Sequence, residues 1–222
     1  MADWFDTRSM ALSNAETSLN TVDELLTLVK DGRGKPSEKE RAVFAAVVVF
    51  LYGIWENFVE QLAIELVTHL SPSIDPTRVP DQVRKSLEKK SAWELSVHPG
   101  WRSLWAESVK LQAVGDDGDK FGMNTAKSGQ VKNLLVAAGA CDCFAKASAS
   151  IIPGHLEEIA KVEDAVNQLV ELRGEIVHTG KVPESLRKSH VMDWKSFVRS
   201  VCESVDECAR EQCKLLSGRG AT

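Results

Sequence analysis

The stretch from Ser37 to about Leu70 most constrains what this chain can fold into. Ser37 followed three residues later by Glu40 is a capping-box pattern that starts a helix, and SPSIDPTRVP at 71–80 ends it. At 1.5 Å per residue such a helix is roughly 50 Å long, which predicts the spine of the fold. Phe44, Val48, Leu51, Trp55, Phe58, Leu62 and Leu66 share one face. Between Ala42 and Trp55 the helix is apolar all round, so other helices must pack on several sides of it. That uninterrupted apolar run is 14 residues, between SEKER and ENFVEQ. A spanning helix needs about 20, so the expectation is a buried helix with no membrane partner. MADWFDTRSM at the start has neither the basic nor the apolar region of a secretory leader, which points to a cytoplasmic protein.

The rest of the chain is also helical in period. Residues 3–30 place Trp4, Ala11, Ala15, Leu19, Val22, Leu26 and Val29 on one stripe, closed by Gly32, Gly34 and Pro36. Helices are predicted over 80–97, 100–113, 128–138, 156–178 and 192–216, and 140–153 has no clear pattern. No strand pattern and no repeat of 20–50 residues is present. The class is all-α: a single domain over 1–222, with an N-terminal helix (1–36), the spine (37–70), a helical insertion (71–153), and a motif helix with a C-terminal helix (154–216).

Charge excludes some functions and leaves others. With 27 Lys and Arg against 32 Asp and Glu, the net charge is −5, unlike the basic excess of a general nucleic-acid coat. Any nucleic-acid contact must be local. Residues 78–110 hold seven basic and four acidic side chains. Within them Arg84, Lys85, Lys89 and Lys90 are candidates to hold a phosphate backbone, with a solvated helix face as the alternative. Five cysteines without a CxxC pattern read as free thiols rather than a disulfide framework. GRGKP at 32–36 lacks the full phosphate-loop pattern, and GDDGD at 115–119 lacks the calcium-loop spacing. Cys141, Cys143 and His155 match no zinc spacing. No metal or other cofactor is expected.

The segment VEDAVNQLVELRGEIVHTGK, 162–181, is the most informative. On a wheel of about 100° per residue, Ala165, Val166, Leu169, Val170, Leu172, Ile176 and Val177 form one apolar stripe, and Arg173 falls in its middle. A bare guanidinium in a core is too costly, so Arg173 must pair, or face a cleft or interface that admits an anion. His178 lies five residues on, near the Gly180 stop signal. If the helix ends at His178, the imidazole can turn toward Arg173.

Arg173-x4-His178 resembles the R-x4–6-H motif of the HEPN superfamily. Tyr52-Gly-Ile-Trp55-Glu56-Asn-Phe58 on the spine resembles the Y-x-x-W-E-x-F signature of bacterial HEPN groups of the RiboL-PSP type. MNTAKSGQVKNLLVAAG at 123–139 is similar to the Asn-led segment and short helix before the motif helix in that group. The resemblance spans roughly residues 40–215. It implies a HEPN-like helical bundle and a metal-independent endoribonuclease that works as a homodimer in the role of a toxin or phage-defence effector, with RNA as substrate and a cognate antitoxin protein as a partner.

Arg173 would clamp phosphate and His178 would move protons, each supplied twice, with the apolar stripe of the motif helix facing the partner copy. Glu56 is a candidate to orient Arg173 or His178, a plain salt bridge being the alternative. Active members commonly carry a polar residue after the Arg, and here it is Gly174; Glu175 is the candidate substitute, although it projects from another face. A catalytically inactive HEPN module that binds RNA, a nucleotide or a partner protein is the alternative implied by that departure.

Overall fold

The computed structural model describes residues 4–30, 35–87, 91–98, 100–116, 122–145, 147, 149–156 and 158–218. Among them are eight α-helices and no strand: α1 (Met10–Thr27), α2 (Glu38–Leu70), α3 (Asp81–Ser86), α4 (Ala92–Val97), α5 (Trp101–Val114), α6 (Ser128–Ala137), α7 (Val162–Thr179) and α8 (Lys188–Leu216). The all-α bundle with a long central helix is therefore as expected.

Helix α2 is the spine. Ser37 and Glu40 form the reciprocal capping box, which satisfies backbone donors that the first turn leaves without helical partners. Helices α1, α5, α6, α7 and α8 all pack against it. All seven residues of the expected stripe are buried, together with Val47, Tyr52, Ile54, Val59, Ala63, Val67 and Leu70. By length and composition α2 could cross a membrane: its most apolar 18 residues have mean hydropathy 1.9. The 14-residue run understated this, because Glu56 and Glu60 interrupt the sequence without ending the apolar stretch. Half of that window is buried under the chain's own helices.

The predicted 3–30 helix is two elements. A short 3-10 turn at Trp4–Asp6 precedes α1, and Ser9 between them accepts from the Leu12 amide as the N-cap of α1. Glu65 of the spine completes that end, accepting from the Met10 and Ala11 amides at 2.9 and 2.7 Å. The predicted 80–97 helix is likewise split into α3 and α4. Ser91 starts α4 with its own capping box to Glu94, so a new helix begins where one continuous helix was expected. The motif helix begins at Val162 rather than 156, because irregular backbone occupies the described residues 152–156 and 158–161 after a 3-10 turn at Ala149–Ile151. Helix α8 begins four residues earlier than predicted.

The cysteines are unpaired; Cys143, Cys202, Cys208 and Cys213 are buried and Cys141 is exposed. Burial pushes the Cys213 thiol up to about 12, so it behaves as a small apolar side chain. The described residues contain no cluster of three or more His, Cys, Asp or Glu arranged to hold a metal ion. Most of the phosphate-loop-like segment and of the acidic 115–119 segment lies outside the described residues.

Candidate functional site

Tyr52, Trp55 and Glu56 sit at spacings of three and four on α2, so one side of the spine presents all three. Trp55 Nε1 donates to the Ala126 carbonyl at 2.9 Å, and the Ala126 amide donates to the Tyr52 hydroxyl at 3.2 Å. The signature residues thus hold both backbone groups of Ala126, in the loop before α6. Tyr52 in turn donates to Glu56 Oε1 at 2.5 Å. Burial, and then the bond to Glu56, push the phenol up to about 12, so it stays protonated and keeps donating at any working pH.

Arg173 reaches this cluster from α7. Its guanidinium carbon lies 4.9 Å from the centre of the Tyr52 ring, within the range of a cation–π contact. Its Nε is buried without a hydrogen-bond partner, while the residue as a whole is half-buried. The polar anomaly on the apolar stripe is therefore accommodated by an aromatic face, and no carboxylate neutralises it among the described residues. A positive group held this way keeps its donors for an incoming anion.

The apolar stripe itself covers the chain's own spine. Ala165, Val166, Leu169, Val170 and Ile176 are buried, and α7 packs on α2. The expectation that this stripe faces a second copy is corrected: intrachain packing consumes it, and only Val177, 48% exposed, is left outward.

Helix α7 continues through Thr179, and Gly180 ends it with a left-handed φ of 66°, a conformation that glycine adopts without strain. The helix does not stop at His178, so the imidazole does not swing onto the Arg173 row. Instead it lies over Gly174, one turn back: its Cδ2 is 4.0 Å from where a Gly174 side chain would begin. On the wheel, Arg173, Val177, Gly174 and His178 fill one arc of roughly 140°. Arg173 and His178 stand at its two edges, with Val177 and Gly174 between them. His178 is exposed.

The other expected site residues separate. Glu56 meets Tyr52 and forms no ion pair with Arg173 or His178 among the described residues. Glu175 is exposed on another face of α7. Arg84 pairs with Asp81 on its own short helix, Lys85 is exposed beside it, and α3 packs on α6. Lys89 and Lys90 lie outside the described residues. His155 and His190, isolated in sequence, stack with ring centres 4.4 Å apart, away from the motif residues in the chain.

Glu60 was missed. It stands one turn beyond Glu56 on α2 and is partly buried. Burial, and then the neighbouring Glu56 charge, raise its carboxyl from the ordinary 4.5 to about 7. The signal was the acid repeated at i+4 within an apolar helix. In the folded chain Glu60 keeps its proton between about 4.5 and 7, whereas the unfolded chain loses it near 4.5. Its contribution to stability is thus complete below 4.5 and is lost as pH rises through 7. Glu60→Gln is expected to flatten that decline and to raise the melting temperature at pH 8 relative to the parent, as thermal unfolding at several pH values would show. A parent and variant with identical pH profiles would contradict it.

The family model RiboL-PSP-HEPN matches residues 16–211. No curated protein and no solved structure matches the chain. The match takes in α2, the Ala126 loop, α7 and most of α8, so the two motifs that meet at Tyr52 and Arg173 fall within it, and the chain belongs to the HEPN superfamily as a RiboL-PSP-type domain.

Proposed function

We propose that this protein is a metal-independent endoribonuclease that acts as a cytoplasmic homodimer, in the role of a toxin or phage-defence effector. The observation that carries the reading is the meeting of two motifs about 120 residues apart: the Tyr52 ring supports Arg173, and no carboxylate pairs with it among the described residues.

Metal-free RNA cleavage requires three things of a protein. The 2′-hydroxyl must lose a proton as its oxygen attacks the adjacent phosphorus. The five-coordinate phosphorane that forms must be stabilised. The departing 5′-oxygen must gain a proton as its bond to phosphorus breaks, leaving a 2′,3′-cyclic phosphate. An imidazole suits both proton transfers because it titrates near neutral pH. A guanidinium suits the phosphorane because its planar fork donates to two oxygens at once. In this reading His178 carries the protons and Arg173 clamps the phosphate. One chain supplies one imidazole, and a second copy supplies the other.

The face that favours a second copy is on α2 rather than α7. Ala45, Ala46, Val49, Phe50, Gly53 and Ile54 line an open groove of about 510 Å³ that also includes Ile176 of the motif helix. Phe50 is 36% exposed, and among the described residues nothing beyond the helix's own backbone lies within 4 Å of a side chain added at Gly53. A glycine inside a helix costs about 1 kcal/mol relative to Ala, and no packing among the described residues requires it there. Close approach by another backbone would. Phe50→Glu is expected to yield a helical monomer that no longer cleaves RNA, read by light scattering, circular dichroism and a cleavage assay. A monomeric parent, or a monomeric Phe50→Glu with full activity, would remove the homodimer from the reading.

The alternative is an inactive HEPN module that binds RNA, a nucleotide or a partner protein such as an antitoxin. Gly174 favours it, because it provides no side-chain hydrogen bond to His178. RNA binding without cleavage would select it.

A further inference from the structure

Between the end of α5 and the outer side of α6 lies a second concavity of about 200 Å³. Four carboxamides line it, from Gln112, Asn124, Gln130 and Asn133, over an apolar floor of Met123 and Leu134. We propose that this pocket binds an unpaired nucleobase of the RNA substrate and sets sequence preference next to the cut.

Among the described residues no charged side chain lines the pocket, which argues against a phosphate or metal as occupant. A carboxamide instead offers a donor and an acceptor in one plane, the arrangement that pairs with the edge of a base; Asn and Gln make two such bonds to adenine. The hydroxyl of Thr125 donates to Gln130 Oε1, which turns the Gln130 amide nitrogen free as a donor. Single-stranded bases are the ones whose edges are open to this kind of reading. The volume is below the roughly 300–1,000 Å³ of sites for larger ligands, in keeping with one ring system. The apolar floor provides a surface on which such a ring can lie.

The pocket is built into the backbone. The Met123 amide donates to the Ala113 carbonyl at 3.0 Å. Gly122 presses so closely on the end of α5 that an added side chain would begin 2.4 Å from the Ala113 oxygen. Asn124 then lies two residues before Ala126, which Tyr52 and Trp55 hold. Two residues span about 7 Å at most, so one short loop joins the pocket to the Tyr52–Arg173 cluster. Through Ala126 and Tyr52 that loop links the amides to the side chain that carries the Arg173 guanidinium.

The RNA part of this inference rests on the Arg173–His178 reading, and nucleoside binding tests the pocket without it. Adenosine, guanosine, cytidine and uridine are titrated separately into the full-length protein by NMR. The expected result is saturable binding of one in preference to the others, weakened about tenfold or more by Asn133→Ala and by Gln112→Ala. Both side chains are exposed, so these variants should keep the parent's fold, which the same spectra verify. Absence of saturable binding, or binding equal for all four and unchanged by both variants, would overturn the proposal even if the protein cleaves RNA. Selective binding by a protein that cleaves no RNA would support the pocket and count against the nuclease reading instead.

Discussion

Replacing His178 with Ala is expected to lower RNA cleavage by about 10²–10⁴-fold, the usual contribution of a positioned acid–base group. The side chain is exposed and makes no hydrogen bond among the described residues, so the unfolding free energy should change by no more than about 0.5 kcal/mol. The two readouts separate a chemical role from a structural one. Chemical denaturation measures the second, and single-turnover cleavage at saturating protein measures the first. Loss of activity together with a large loss of stability would instead make His178 part of the scaffold. Undiminished cleavage would remove it from the mechanism.

Arg173→Ala should cost about 10²–10³-fold in cleavage, the range found when one donor to a developing oxyanion is removed. Arg173→Lys is the sharper comparison. Lysine keeps the charge but not the planar fork that bonds two phosphate oxygens, so it should restore little of the lost rate. If charge near Tyr52 were all that mattered, Lys would rescue most of it. Tyr52 separates the support from the chemistry. Its ring carries the guanidinium, while its hydroxyl serves Glu56 and the Ala126 amide. Each variant therefore reports on a different link between the spine and the motif helix.

Much of this fold is legible because its long helices announce themselves locally. The spine has a capping box, an apolar stripe and a Pro-rich stop, and its bounds follow from those three features. Helix α8 is legible for the same reason of period. The short elements were harder. The Ser-Ala-Trp-Glu that starts α4 is a cap pattern at 91–94, yet the apolar residues on either side fit one longer helix equally well, and period alone does not arbitrate.

The candidate site was legible in its oddest residue. An Arg in the centre of an apolar stripe signals an unusual neighbour whatever the fold. What supports it was not legible, because the Tyr52–Ala126 bond closes a separation of 74 residues and no local rule predicts such a pairing. The stripe's partner was misjudged for a related reason. An apolar helix face states that something covers it, but a single sequence does not distinguish the chain's own spine from a second copy. Exposure of Phe50 and the empty surroundings of Gly53 relocate the uncovered face to α2.

Glu60 illustrates a further limit. Its raised pKa arises from partial burial and from Glu56 one turn away. The spacing was visible in the sequence, but the depth depends on how α2 is covered.

Incubation of purified protein with total cellular RNA in EDTA, beside an identically prepared His178→Ala protein, tests the central claim most directly. The predicted result is cleavage by the parent alone, with products ending in 2′,3′-cyclic phosphate. Products ending in a free 3′-hydroxyl, or equal cleavage by the two proteins, would contradict it.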